Sequence, residues 1–555
     1  MRESPRAPSQ FEILCRVFWL RVVDLEVLSP DNDAQTLLGH LAALLAGVSV
    51  LFTAPIILIG GPMAEPDLWT FEHLFFTTTL TVVGVLSVLS WDSSLPDRRD
   101  LLVLGPLPIR TRTVFAAKLS SLAGVLSFSV VALNFSSGLI WPMLFRASGS
   151  GFLGAARSLI AYWAVTGPAA IFIFSCVLCL QGIAALILSR QLFLRLSSLL
   201  QVLAFTTLFG VYLLEPPLES VSALSAPANQ RYLHFLPSYW FLGLFQQLNG
   251  TMRPAFNPLA DRAWYALACA PILAVVLLML SWLMKLRRAV EQPDVTPDGG
   301  QSWRWPEFSG VIPEAIVQFS ARSLLRSPQH RLLYAFYLSV GFATVMLYTG
   351  LPEMHGYIAE GSAAYVGASL MLLCIAVLGL RMIISVPVIL RANWIFQLTQ
   401  IHTVGVYFSA SRKVILVLAV VPIWIVVAAV MFCAAPSWRT ATHLTALACI
   451  GAILADLAVV SLRNIPFTCS YLPGKAQLHF VFWGGMLLGL PLISEAASIE
   501  WRLLASRLGS ISLVVCVSLA AILIRWGTNS RLRKADSIIF REEATPDLLS
   551  LKLGS

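Results

Sequence analysis

Long apolar runs separated by short polar stretches organise the chain. A helix that crosses a bilayer needs about 20 such residues. Runs of that order fall near 38–60, 73–91, 119–142, 158–188, 196–214 and 263–284. A second set falls near 332–350, 364–390, 414–434, 442–461, 478–494 and 508–525. The pattern predicts about 12 transmembrane helices. The runs are continuous rather than alternating, which argues against a barrel of strands. The 158–188 run predicts a tilted or kinked helix, with Gly167-Pro168 as the place for the kink.

Composition turns this pattern into a fold class. Apolar residues make up 57% of the 555 and charged residues 12%, and mean hydropathy is +0.77. Soluble proteins carry about 25% charged residues, so lipid must be the solvent for much of this chain. The expectation is an all-α polytopic integral membrane protein. The first 30 residues hold Arg2, Arg6, Arg16, Arg21, Asp24 and Glu26 and only a short apolar stretch. No cleavable signal peptide is expected, and the first span would act as its own insertion signal. The nine cysteines are scattered, Cys176 and Cys179 included, and predict neither a disulfide framework nor a metal site.

Charge sets the orientation. With 12 spans and a cytoplasmic N-terminus, 29 of the 38 Lys and Arg are cytoplasmic, eight lie opposite and Arg381 falls within a span. That is the positive-inside bias. It predicts that both termini are cytoplasmic, and the expected location is the plasma (inner) membrane. It also accounts for the net charge of +9 without a nucleic-acid partner.

The stretch 285–331, with the linker Glu291 to Gly300, divides the chain into two six-span halves. The expected domains are 1–288, a linker at 289–311, 312–526, and a cytoplasmic tail at 527–555. Each half opens with a partly amphipathic elbow, at 10–28 and 312–330. Each has a longer inner loop between its second and third spans, at 92–118 and 391–413. Lys118 and Lys413, the latter next to Arg412, start the third spans. An even number of spans per half predicts a parallel repeat about an axis along the membrane normal.

Motifs of catalysis are lacking. No G-x-x-x-x-G-K-[ST] occurs, and Leu472-Pro-Gly-Lys475 has neither the upstream glycine nor the following hydroxyl. There is no H-E-x-x-H and no exposed G-x-S-x-G. Charges within the apolar runs are few: Asp456 in the tenth, Arg381 toward the inner end of the eighth, His40 near the inner end of the first, and Glu495 at the outer edge of the eleventh. Asp456 reads either as part of an ion relay or as a structural contact facing the bundle interior, with the second preferred. Arg381 is expected to snorkel to the inner interface. An ion-coupled transporter would carry more buried acids.

The first inner loop runs Trp91-Asp-Ser-Ser-Leu-Pro-Asp97-Arg98-Arg99-Asp100-Leu-Leu-Val-Leu104-Gly-Pro-Leu107-Pro108-Ile-Arg110-Thr-Arg112 and on to Lys118. Its prolines interrupt any continuous helix and predict a short amphipathic helix on each side, near the membrane surface. A rigid element of this kind can be pushed by a cytoplasmic partner.

In this loop, through Asp97, Arg98, Arg99, Asp100, Leu104, Leu107, Pro108 and Lys118, the chain resembles the permeases of ATP-binding-cassette (ABC) exporters of the type-2 class. Leu236-Pro-Ser-Tyr-Trp-Phe-Leu-Gly-Leu244 is similar to the short segment before the sixth span in those permeases. The resemblance implies that the loop, with Arg110, is a coupling helix docking on an ATPase. In the second half, Asn393, Trp394 and Phe396 through Arg412 and Lys413 occupy the coupling position without the Asp-Arg-Arg-Asp cluster or the Leu-Pro. The family reading further implies a cytoplasmic ABC ATPase subunit, in two copies, holding the ATP and Mg. This chain would hold no cofactor and would not itself be an enzyme. Membrane lipid would be its other contact, and export its direction. The alternatives are an ion-coupled secondary transporter, a membrane-embedded enzyme, and an assembly subunit without transport of its own.

Overall fold

The computed structural model describes residues 9–23, 39, 41–50, 53, 65–91, 104, 106–145, 151–215, 221–251, 253–291, 311–350, 362–385, 404–434, 436–460, 466–467 and 477–533. Every regular element among them is helical. Eight helices are long and apolar enough to cross a membrane, and three shorter apolar ones lie at Leu41–Val50, Leu199–Leu214 and Leu333–Met346. The protein is therefore an all-α, membrane-embedded chain. It divides into two compact units, Met1–Gln301 and Ser302–Ser555.

The first unit comprises α1 (Gln10–Val23), α2 (Leu41–Val50), α3 (Glu65–Leu89), α4 (Thr111–Leu133), α5 (Ser137–Leu144), α6 (Gly151–Ile187), α7 (Arg190–Leu214), α8 (Val221–Ser225), α9 (Pro227–Leu233), α10 (Pro237–Asn249) and α11 (Asn257–Glu291). Its centre is α3, which packs on α6, α7 and α10, while α6 and α11 pair along their lengths. The α6 helix is continuous through Gly167-Pro168 over 37 residues.

Two expectations are corrected here. The 119–142 run is two helices, because the chain turns at Asn134 between α4 and α5. A broken helix at membrane depth must have its freed backbone groups satisfied by protein. Ser49 of α2 meets that need: its Oγ accepts from the Ser136 and Ser137 amides at 3.1 and 3.0 Å. Asn134 donates to Thr79 Oγ1 at 3.3 Å and accepts from the Tyr162 hydroxyl at 2.6 Å. The 215–262 stretch is also more than a loop. Within it α10 starts on Pro237 and buries Tyr239, Phe241, Leu242, Leu244 and Phe245. It ends at Gly250, whose φ of +80° favours glycine and over which the Arg157 guanidinium lies.

The second unit comprises α12 (Val311–Arg326), α13 (Pro328–Gly350), α14 (Ser362–Ile384), α15 (Val404–Ile415), a π turn at Leu416–Val420, α16 (Val421–Ala434), α17 (Trp438–Val460), α18 (Gln477–Leu504) and α19 (Arg507–Arg533). Its centre is α14, which packs on α13, α17 and α18, while α17 and α19 pair. The α19 helix turns its apolar face outward, with Leu508, Ile511, Ile522 and Leu523 all exposed.

Candidate functional site

The turn Leu104–Arg110 is positioned from two sides. Leu104 and Ile109 pack on a small core of Leu14 and Phe18 from α1 and Ala117 from α4. The Leu107 amide donates to Leu104 O at 3.1 Å and the Ile109 amide to Leu107 O at 2.7 Å. These bonds fold the backbone sharply, so that Pro106, Leu107 and Pro108 point outward and are exposed. Leu107 leaves 48% of its surface uncovered. The expected short helix downstream of the prolines is absent: the chain passes through an extended Arg110 directly into α4, whose Thr113 amide donates to Arg110 O at 2.8 Å.

The α1 helix is the base of this turn. Ser121 Oγ donates to Cys15 O at 2.9 Å, and Trp19 lies so close over Gly124 that a Cβ there would fall 2.3 Å from its ring. Lys118 is buried, with Nζ 5.6 Å from the Phe18 ring centroid. It belongs to the α1–α4 joint rather than to the exposed face. Arg110 is exposed. Asp97, Arg98, Arg99 and Asp100 lie outside the described residues, as do Asn393, Trp394, Phe396 and His40.

Two of the charges within the apolar runs, Asp456 and Arg381, are engaged. Asp456 of α17 is buried, and its Oδ1 accepts from Arg412 Nε of α15 at 2.6 Å and from Arg525 Nη1 of α19 at 2.9 Å. Arg381 of α14 donates from Nε to Ala458 O at 3.0 Å and from Nη1 to Ser385 Oγ at 2.8 Å. Its guanidinium is thus tied to the last turn of α17. Lys413 is half-buried. Asp456 lies near the end of α17, where burying a carboxylate without a partner still carries a desolvation cost. The guanidiniums of Arg412 and Arg525 on Asp456 offset that cost and join three helices.

Buried acids are more numerous than the sequence suggests. In the first unit, Glu72 is buried and accepts a short hydrogen bond from Gln246, which also accepts one from Thr251. His73 Nε2 lies 3.2 Å from Glu215 Oε1, 3.2 Å from Ser238 Oγ and 3.3 Å from Thr77 Oγ1. Ser238 and Thr77 donate to Glu215 as well, and the His73 ring stacks on Tyr239. In the second unit, Glu495 is exposed and the buried acid is Glu500, one helical turn and a half farther along α18. Its Oε1 lies 2.7 Å from His443 Nδ1, and His443 Nε2 lies 2.8 Å from Ser369 Oγ.

A carboxylate, an imidazole and a hydroxyl in that order form the constellation of an activated nucleophile. Ser369 Oγ, however, also donates to Val366 O at 2.8 Å. Ser369, His443 and Glu500 are 5, 1 and 4% exposed, so as packed they admit no substrate. In the first unit the three groups meet through a single imidazole nitrogen, which leaves no relay. Both clusters work as ties between helices. No protein-family model, curated protein or solved structure matches the chain.

Proposed function

We propose that the chain is the membrane-spanning permease subunit of an ABC transporter, working as an exporter and powered by a separate cytoplasmic ATPase subunit. The observation that carries this reading is the Leu104–Arg110 turn: Leu107 and Pro108 face outward, on a base locked to α1 and to the first turns of α4. A push on such a knob moves a membrane helix instead of bending a loop.

The internal plans of the two units support a duplicated permease. In each, an elbow helix packs on the helix that follows the inner loop, α1 on α4 and α12 on α15. The helix at the centre, α3 or α14, packs on α7 or α18, and α6 pairs with α11 as α17 pairs with α19. The reading therefore includes 12 spans in two parallel six-helix repeats, the inner membrane, both termini cytoplasmic, and two ATPase copies that carry ATP and Mg. In the second unit Arg412 is turned to Asp456, so the first half makes the stronger contact with the ATPase.

A second reading, an ion-coupled secondary transporter, draws on Glu72, Glu215 and Glu500, three buried or nearly buried acids beside His or Gln. The two separate on one experiment. The tagged protein is purified from its own membrane in gentle detergent and the co-purifying chains are identified. A stoichiometric soluble chain with a P-loop supports the permease. A preparation without one refutes it and makes Glu500 and Asp456 the residues to test for ion coupling. Within the permease reading, replacing Leu107-Pro108 with Gly-Gly abolishes ATP-stimulated transport while membrane insertion survives. Unchanged stimulation would refute the role of the turn.

A further inference from the structure

We propose that the end of the second unit where Asp456 gathers Arg412 and Arg525 binds the headgroup phosphate of an anionic phospholipid. The inference needs only membrane-embedded helices and is independent of the transport reading.

The depth of the site is marked by α19. Apart from Ser512, its outward residues from Leu508 to Leu523 are apolar, and they finish at Trp526, which is 74% exposed. An exposed tryptophan closing an apolar helix face sits at headgroup level. Arg525 is the preceding residue, and its side chain is one-third exposed beside this face. Arg412 reaches the same carboxylate from α15 with its side chain 19% exposed.

The charge there is unbalanced. Asp456 Oδ1 takes one N–H from each guanidinium, and a guanidinium carries five in a planar fork suited to phosphate. The sequence around these helix ends deepens the excess. Among the described residues, the helix ends 381–385, 404–413, 456–460 and 525–533 contain six Lys and Arg and a single acid, Asp456. An acid that pins two guanidiniums lowers the entropy they lose on meeting a ligand. The ligand is therefore anionic. We take it to be a lipid rather than a protein because Arg525 borders the exposed apolar face of α19, a helix long and apolar enough to cross a membrane. Phosphatidylglycerol is the simplest probe of that chemistry.

The test uses the full-length chain in a neutral detergent, with bound lipid counted by native mass spectrometry. Phosphatidylglycerol is retained in preference to phosphatidylcholine. Arg525→Gln lowers its affinity roughly fivefold, the effect of removing about 1 kcal/mol per basic group. Arg525→Lys keeps most of it. Equal retention of the two lipids by the unaltered protein overturns the proposal, as does undiminished retention by Arg525→Gln. Displacement of the lipid by millimolar inorganic phosphate would also overturn it, marking a site for soluble anions. If Arg525→Gln does not fold, the melting temperature of the unaltered protein decides. A rise in phosphatidylglycerol but not in phosphatidylcholine supports the site, and equal melting refutes it.

Discussion

Both units tie the start of their central helix to another helix through a carboxylate and a histidine, but the two ties are built differently. In the first unit Glu215 is the hub, receiving Ser238 and Thr77 and lying beside His73. In the second His443 is the hub, with Glu500 on one ring nitrogen and Ser369 on the other. A carboxylate hub has several acceptor positions and survives the loss of one donor. An imidazole hub has two nitrogens, and losing the ring separates the remaining partners. The same join between helices is thus redundant in one unit and serial in the other.

A second difference lies where the third expected span of each half begins. Lys118 is folded over Phe18 within the α1–α4 joint, leaving Leu107 and Pro108 as the outward face of the first unit. Arg412 is committed to Asp456, and the π turn at Leu416–Val420 follows. The first unit offers an apolar, proline-stiffened knob there, and the second an ion-paired helix junction.

Mutations can break this comparison, the largest effect first. Asp456→Ala leaves Arg412 and Arg525 without their carboxylate; because both guanidiniums are partly exposed, the cost should fall at the low end of that for a buried pair, about 3 kcal/mol. The purified variant should melt far below the parent or fail to accumulate. Normal melting would show that the three-helix junction is not structural. Next is His443→Ala, which leaves the buried Glu500 without its imidazole while Ser369 keeps its bond to Val366 O, and is expected to cost about 2 kcal/mol. His73→Ala should cost about 1 kcal/mol, because Ser238 and Thr77 still donate to Glu215. Equal losses at His443 and His73, measured by thermal unfolding in one detergent, would abolish the distinction between serial and redundant ties. The smallest effect is Ser49→Ala, which removes the acceptor for the Ser136 and Ser137 amides. It should cost about 1 kcal/mol, the usual worth of a helix cap.

The membrane helices were legible because apolar runs of bilayer length are contiguous in sequence. The break at Asn134 was not, since the flanking residues keep the run apolar. Its signal is the cluster Asn134-Phe-Ser-Ser-Gly138, rich in residues that favour turns. Glu500 is hidden in the sequence because hydropathy falls after 494, yet α18 continues to Leu504 and carries the acid back into the core. Its partner His443 lies 57 positions away and Ser369 another 74, distances at which no local spacing can announce a cluster. Asp456 and Arg412 were both singled out in the sequence, but their pairing, across 44 residues, needed the fold. The Leu107-Pro108 element was readable because proline and leucine between charged residues advertise a rigid, surface-lying turn.

The central claim is that this turn is the contact for a separate ATPase, and site-specific photo-crosslinking from position 107 in the native membrane tests it most directly. The account predicts one dominant adduct, with a soluble chain that carries a P-loop, and its loss when Pro108 is replaced by Gly. Adducts with lipid alone, or none that contains a P-loop chain, would contradict it.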